Sequence, residues 1–345
     1  MDNRKKNIIY SFILITLVGI VWVYRKYNPE LPTHFHVRGT TMGVVPYNVK
    51  YIDQEGRPLD EEIKKVLADF NQSLSTYIPS SEISRFNSGT AFTYESAFFY
   101  PVLKESKEVY DITEGSFDPT IQPLVKAWGF GPGKTPTIKD EEVDSIKSFV
   151  NFASYISFDE KEVRKSKEGV ELDFSAIAKG YAVDVVADLL RAKNIHNFMV
   201  EIGGEVVCEG HNEKEKVWRI GIDNPRYGEG GQQEQLSLIV ELPNKALATS
   251  GNYRNFYEKD GKKYAHTLDP RSGYPVQHSL LSASVFSSSC MRSDAYATAF
   301  MVMGVEKAIK VIEDHSDLEA ILIYDDNGVM KNYISEGAEK FIMNK

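Results

Sequence analysis

Cysteine is scarce in this chain. Cys208 and Cys290 are the only two, and they lie far apart. They make no CxxC pair and no zinc spacing, which removes dithiol and zinc-finger chemistry. Two buried apolar thiols are the simpler reading, and a single disulfide is also compatible with the count. Positive charge is short as well. Forty Lys and Arg face 49 Asp and Glu, for a net charge of −9. A nucleic-acid partner would want a basic face, so none is expected. An acidic surface does nothing for an anionic ligand, so a phosphate would need local help from lysine, metal or a helix N-terminus. No GxxxxGK[ST] occurs, which excludes a P-loop. No GxGxxG stands in a βαβ context, which counts against a dinucleotide-binding redox enzyme. Internal repeats and low-complexity tracts are missing too.

Apolar content of 42% and charged content of 26% over 345 residues are those of an ordinary globular protein. Such a chain can bury a sizeable core in one or two domains. One long uncharged apolar run stands at the start, from Ile8 to Tyr24, between Arg4-Lys5-Lys6 and Arg25-Lys26. At ~1.5 Å per residue it just about spans a hydrocarbon core. It ends in Val21-Trp22-Val23-Tyr24, not in a small-x-small cleavage site, and no lipoprotein cysteine follows. Trp22, Tyr24 and Tyr27 suit an interfacial belt. The expected layout is therefore a cytoplasmic N-terminus at 1–7, an uncleaved single-pass signal anchor at 8–24 and a linker at 25–37. The domain at 38–345 then lies on the periplasmic side of the inner membrane.

Within the domain, Val45, Tyr47, Val49 and Tyr51 alternate as in a strand, and Pro46 argues for an edge or a bulge. Asp60 is placed to cap a helix carrying Ile63, Val66, Leu67, Phe70 and Leu74. A second helix carries Phe98 to Tyr110. Pro132 to Asp140 reads as a loop, Glu141 to Val150 as a short helix, and Ala178 to Lys193 as a helix. Then the texture changes. Strands are expected at 198–202, 205–208, 217–222, 236–242 and 281–286, with no helices between, so antiparallel pairing follows. Asp294 to Asp314 returns to helix with a break at Gly304. A terminal hairpin turns at Asp325-Asp326-Asn327-Gly328. The class is α+β, with mixed, mainly antiparallel sheets and packed helices, preceded by one N-terminal transmembrane helix.

Six segments read as more than folding. Gly39-Thr40-Thr41-Met42-Gly43 is a polar turn beside a strand. Leu74-Ser75-Thr76-Tyr77 places a tyrosine in a hydroxyl-rich loop, where it can stack on a ring or simply lie on the surface. Gly115-Ser116-Phe117-Asp118-Pro119-Thr120, running on to Trp128-Gly129-Phe130-Gly131, alternates aromatics, glycines and prolines too densely for a helix or strand. It builds either a wall for a planar heterocycle or a packed structural loop. Leu172-Asp173-Phe174-Ser175-Ala176-Ile177-Ala178-Lys179-Gly180 opens a helix, and a helix N-terminus favours phosphate. Lys179 in that first turn opposes the helix dipole and wants a reason, which a bound anion would supply. His266-Thr267-Leu268-Asp269-Pro270 sets a histidine before a turn, where it is structural or a proton carrier. Asp294 and Thr298 share a helix face at i, i+4 and offer hard oxygens of the kind Mg²⁺ prefers. The plain alternative is a helix cap at Asp294 and a back-bonded hydroxyl at Thr298.

In order and spacing these segments resemble the ApbE family of FAD:protein FMN transferases, from about Arg38 to about Gly304. The resemblance rests on GTTMG, LSTY, EGSFDPT with PLVKAWGFG, LDFSAIAKGYAVD, VEIGGE, ALATSGNYRNF, HTLDPRSGYP and SDAYATA. It implies FAD contacts at Met42, Tyr77, Ser116, Phe117, Asp118, Asp173, Lys179 and Leu268. It implies Mg²⁺ ligands at Asp294, Thr298 and the backbone of Ala176, with the backbone of Ala297 facing the metal. Thr249, Ser250 and Gly251 correspond to a wall, and His266 lies beside the reacting phosphates as a candidate general base. The activity so implied moves FMN from FAD to a threonine or serine hydroxyl and releases AMP, with Lys179 and Asp294 assisting. The acceptor is then an FMN-carrying subunit of a membrane redox complex or another FMN-binding protein. An FAD pyrophosphatase and a non-enzymatic extracytoplasmic flavin-binding protein remain the alternatives. The chain departs from the family pattern at Val44-Val45-Pro46, one residue longer, at Ser116, where alanine is common, and in its anchor, where many members carry a lipoprotein cysteine.

Overall fold

The computed structural model describes residues 3–27, 32–130, 138–226, 236–251, 256–259, 262–265 and 267–343. Helix α1 (Asn3–Tyr27) comes first, and the strands β1 (Thr33–Thr41) and β2 (Val45–Asp53) follow. Next are α2 (Asp60–Leu74), α3 (Glu82–Ser88), β3 (Ala91–Thr93), α4 (Phe99–Ile112), α5 (Gln122–Ala127), α6 (Asp140–Lys147) and α7 (Phe152–Tyr155). Then come β4 (Ile156–Phe158), β5 (Glu162–Lys165), α8 (Ala178–Ala192), β6 (Phe198–Ile202), β7 (Glu205–Glu209) and β8 (Arg219–Asp223). The rest is β9 (Leu236–Glu241), β10 (Lys245–Gly251), β11 (Phe256–Lys259), β12 (Lys262–Ala265), β13 (Leu280–Ser287), α9 (Cys290–Met303), α10 (Val305–Asp314), β14 (Glu319–Asp326), β15 (Val329–Ile334) and α11 (Glu336–Glu339).

The central sheet has eight strands in the order β1-β2-β6-β7-β10-β13-β14-β15. Every neighbouring pair in it is antiparallel, as the helix-free run of strands implies. Smaller sheets are β3-β5-β4, β8-β9 and β11-β12. The middle of the large sheet is buried on both faces. Val207, Ala246, Val285, Ala320 and Leu322 join the main core under the helices. Their neighbours Val206, Leu247, Phe286, Ile321 and Ile323 enter a second core under β8, β9 and α11. Strict alternation sends successive residues to opposite faces, so these strands read as nearly continuous apolar runs. The α+β class holds.

Several local expectations change. The stretch 25–37, expected as a linker, already contains the start of β1, which begins at Thr33 and pairs with β2 from Thr33↔Asp53 to Thr41↔Val45. Pro46 does not mark an edge. β2 lies between β1 and β6, and Pro46 sits one residue past the end of the β6 ladder at Tyr47↔Ile202. Its carbonyl there accepts from Gly203 N at 3.0 Å. Asp60 is not the cap of α2. It is the first helical residue, with Glu61 and Glu62 in the same turn, where negative charge meets the positive end of the helix. The segment after Thr120 contains the short helix α5. The break at Gly304 separates α9 from α10 as expected. Along α1 the large apolar side chains from Ile9 to Ile20 are exposed. Among the described residues, no helix is long and apolar enough to cross a membrane.

Candidate active site

Helices α8 and α9 cap each other. Asp294, in the second turn of α9, accepts from Gly180 N at 2.9 Å in the first turn of α8. Asp184 of α8 answers by accepting from Cys290 N at 2.9 Å, Met291 N at 2.8 Å and Ser289 Oγ at 2.8 Å at the start of α9. Each carboxylate satisfies orphan donors at the other helix's positive end. Burial still pushes the Asp184 carboxyl up to about 6, against those hydrogen bonds. The reciprocal arrangement requires close approach. A Cβ on Gly180 would stand 2.1 Å from the Cys290 carbonyl oxygen. Asp294 is therefore no cap of its own helix. Ser289 fills that position, accepting from Arg292 N at 3.4 Å.

Lys179 lies at the same end of α8. Its ammonium stands 3.2 Å from Asp294 Oδ1 and 3.1 Å from Glu205 Oε1. These two carboxylates supply the reason for a lysine in a first turn. Burial alone would lower the lysine's pKa, but Asp294 and Glu205 together outweigh it and hold the ammonium above its ordinary range. Glu205 was not singled out from the sequence. It opens β7 just after Gly203-Gly204, is 2% exposed, and burial pushes its carboxyl up against the pull of Lys179. Its second oxygen, Oε2, has no hydrogen-bond partner. No local signal in the sequence marks it, because its partner Lys179 lies on another element.

Two openings meet at Lys179. One is a cavity of about 650 Å³ lined by Met42, Leu74, Tyr77, Asp173, Ser175 and Lys179. It brings together four of the eight FAD contacts expected from the resemblance. Tyr77 is 68% exposed, so its ring stands at the surface and does not belong to the core. Asp173 accepts from Ser175 N at 2.7 Å, and its own N–H donates to Pro119 O at 2.7 Å, joining this segment to the Ser116–Thr120 loop. The other four sit elsewhere. Asp118 lines a separate cavity of about 520 Å³ with Gly115, Pro270 and Arg271. Its carboxylate accepts from Thr120 N, Thr120 Oγ1 and Phe152 N, while burial pushes its pKa up to about 6. Phe117 is buried in the main core, so its ring forms no open wall beside Met42 and Tyr77. Ser116 is buried too, with a hydroxyl that lacks a protein partner. Leu268 is buried against Leu124, Trp128 and Val143.

The second opening at Lys179 is a cleft of about 390 Å³ between Gly203–Val206, Ile220–Asp223 and Thr249–Gly251. Ser250 Oγ lies 3.1 Å from Thr298 Oγ1, so the hydroxyl of Thr298 turns to β10 and not back to its own helix. The residues expected at a magnesium ion are Asp294, Thr298, Ala176 and Ala297. Asp294 and Thr298 do share one face of α9 and point to the start of α8 and the end of β10. Ala297 is fully buried and Ala176 half-buried just before α8. Among the described residues there is no group of three or more His, Cys, Asp or Glu able to hold a metal. The donors on hand are hard oxygens: the Asp294 carboxylate and the Thr298 hydroxyl, with the Ala176 carbonyl just before α8. That set suits Mg²⁺ and no thiophilic metal. His266, expected beside the phosphates, lies outside the described residues.

Comparison with known proteins agrees with this geometry. A family model described as the ApbE family matches residues 39–322. A protein of Vibrio cholerae named FAD:protein FMN transferase is 38% identical over 315 residues, covering 89% of this chain and 92% of that one. A protein of the same name from Haemophilus influenzae is 38% identical over 84% of this chain and 86% of its own. Among solved structures, the flavin transferase ApbE from Vibrio cholerae superposes with a TM-score of 0.81 at 36% identity, over 90% of this chain and 99% of that one. The apo form of the Pseudomonas stutzeri flavinyl transferase ApbE gives 0.80 at 31% identity, over 90% and 97%. With the family model covering most of its length and relatives well above 30% identity along nearly all of it, the chain belongs to the ApbE family.

Proposed function

We propose that this enzyme transfers FMN from FAD to a threonine or serine hydroxyl of an acceptor flavoprotein. The observation that carries the reading is Lys179, pinned by Asp294 and Glu205 where two openings converge. Relatives named FAD:protein FMN transferase support it. In the reaction, the acceptor oxygen attacks the phosphorus on the FMN side of the pyrophosphate. The bond to the AMP phosphate breaks, and AMP and the hydroxyl proton depart. Adjacent phosphate charges repel a nucleophile, so the protein's task is positioning and neutralisation. Lys179 brings a fixed positive charge that needs no reorganisation as the phosphates rearrange. Asp294, Thr298 and the Ala176 backbone would hold Mg²⁺, which when bound withdraws charge from the pyrophosphate oxygens. Met42, Tyr77 and Asp173 line the cavity that receives the donor.

The acceptor is an FMN-carrying subunit of a membrane redox complex or a related FMN-binding protein. The run from Ile8 to Tyr24 anchors the enzyme as an uncleaved single pass, with the domain on the extracytoplasmic side. Exposed apolar side chains along α1 support that reading. Incubation with FAD, Mg²⁺ and an acceptor tests the chemistry by mass. An FMN adduct on the acceptor is the expected result. Free FMN and AMP without an adduct would mean a pyrophosphatase, and intact FAD would mean a binding protein.

A further inference from the structure

A transfer enzyme needs two approaches to one phosphorus, one for the donor and one for the nucleophile. The cavity at Met42 and Tyr77, at about 650 Å³, is of the size that holds a bound small molecule. The cleft on the far side of Lys179, at about 390 Å³, is left for the nucleophile.

That cleft is bordered by an incomplete ladder. β10 pairs with β7 only as far as Leu247↔Val206, because β7 begins at Glu205 and the chain reverses through Gly203-Gly204. Both glycines hold positive φ, +65° and +106°, as so tight a reversal demands. β10 nevertheless continues, and its other side stays paired with β13 out to Gly251↔Ser282. From Thr249 to Gly251 the backbone is laddered to β13 on one side and lines the cleft on the other, where no strand pairs with it among the described residues. Free backbone donors and acceptors at a strand edge are a template for an added strand. Two side chains tie this edge to the reacting centre. Ser250 contacts Thr298 at 3.1 Å. Glu205, 2% exposed, lines the same cleft and keeps Oε2 without a partner.

We propose that the acceptor presents its threonine or serine in an extended segment that adds to the open edge of β10 at Thr249–Gly251, with the hydroxyl directed to Lys179. The proposal rests on the flavin-transfer reading above. Main-chain pairing sets the register, and the orphaned Glu205 oxygen receives the hydroxyl's hydrogen bond. Strand geometry places residues two apart on one face. Neighbours two positions from the hydroxyl therefore face Glu201 and Glu205, and a carboxylate there is repelled. The enzyme accordingly selects a short, extended stretch with no carboxylate two positions from the hydroxyl rather than a folded surface.

The test uses the FAD- and Mg²⁺-loaded full chain and a set of synthetic nine-residue peptides with one central threonine, flanked by alanine, glycine, lysine or glutamate. Covalent FMN is read by mass. Peptides without glutamate two positions away should be labelled. N-methylation of alternate backbone nitrogens in a labelled peptide should slow transfer at least tenfold in one of the two registers. Ile220→Arg, which fills the cleft from β8, should slow peptide labelling to a similar degree while FAD affinity changes less than twofold. Equal labelling of native peptide and of both N-methylated registers would overturn strand addition. Labelling of proteins in the cell-envelope fraction, but of no peptide, would also overturn it. Absence of covalent flavin on peptides and envelope proteins alike would instead sink the transferase reading itself.

Discussion

Lys179, Asp294 and Glu205 form a cluster of two buried carboxylates and a half-buried ammonium, and each member's loss should read differently. Asp294→Ala removes the only formal negative charge expected at the metal, together with the cap on Gly180 N. FMN transfer should fall at least 100-fold, with FAD affinity reduced only several-fold, because Met42 and Tyr77 lie on other segments. The check is transfer at saturating FAD over a range of Mg²⁺, beside calorimetric FAD binding. Wild-type rates at low Mg²⁺ would show the metal to be elsewhere. Lys179→Met leaves two carboxylates facing each other without a counter-charge. Removing the counter-charge of two buried carboxylates costs less than the ~3–5 kcal/mol of a fully buried pair, because Lys179 is half-buried and Glu205 can take up a proton, yet this variant should still lose stability in a denaturant melt. Much at this scale was legible. The i, i+4 spacing puts Asp294 and Thr298 on one helix face, and Met42, Tyr77, Asp173 and Lys179, named by the resemblance, meet in one cavity. Glu205 was not legible, because nothing local distinguishes a strand-heading glutamate that faces solvent from one that faces a lysine more than twenty residues earlier. The direction of the Phe117 ring was not legible either. An aromatic among glycines and prolines can line a wall or fill a core, and here it fills the core.

At the scale of elements, the contact between α8 and α9 sets the geometry of everything above. Gly180→Ala would push a Cβ to 2.1 Å from Cys290 O and 2.7 Å from Asp294 Cβ. Backbone cannot give way as a side-chain tip can, so the helices must separate. A loss of about 1–3 kcal/mol or more is expected from overpacking, read as a lower urea midpoint, with transfer impaired. An unchanged midpoint would contradict the close approach. A second tie lies at the far end of α8. Asp53, closing β2, takes Arg57 Nη2 at 2.8 Å and Nε at 2.9 Å, and Arg57 also donates to Lys193 O at 2.9 Å, the C-cap of α8. The Arg57 hydrogen bonds hold the Asp53 carboxyl down at about 2. Its folded pKa lies below its unfolded value, so the stability it contributes is present above about pH 4 and lost as pH falls toward about 2. Asp53→Asn should flatten that acid limb and cost about 1.5–3 kcal/mol at pH 7, the range for hydrogen bonds to charged groups. Melts of both proteins from pH 7 to pH 2 decide it, and parallel curves would rule the pair out. The longer helices and about half of the strands were legible from periodicity, and the short helices α3, α5, α7 and α11 were not. β10 was not, because Ala-Leu-Ala-Thr-Ser-Gly has little of the β-branched and aromatic content that marks a strand. Its place in the middle of the sheet comes from β7 and β13, which a local pattern does not show.

For the molecule as a whole, the open question is how the domain meets its acceptor. The run from Ile8 to Tyr24 extends about 25 Å as a helix at 1.5 Å per residue, close to the ~30 Å of a hydrocarbon core. Within α1 the apolar side chains from Ile9 to Ile20 are exposed all round, as a surface amphipathic helix would not be. The first strand starts at Thr33, and α1 ends at Tyr27. At ~3.3–3.6 Å per extended residue, the chain between them reaches about 20 Å at most. On the proposed reading of α1 as an anchor, so short a connection would hold the domain against the bilayer, where a membrane-bound acceptor would see it at high effective concentration. Two measurements follow. Protease added to intact spheroplasts should digest the domain, and survival until lysis would place it on the cytoplasmic side. Removal of residues 1–31 should leave FAD affinity unchanged, since both cores lie beyond that point. It should also leave labelling of a detergent-solubilised acceptor unchanged, yet slow labelling of the same acceptor in reconstituted vesicles at least tenfold at submicromolar enzyme. Raising enzyme concentration should restore the vesicle rate, because a tether supplies concentration and no contact. If the truncated chain labels vesicles as fast as the full chain at every concentration, α1 does not serve to hold the enzyme beside its acceptor.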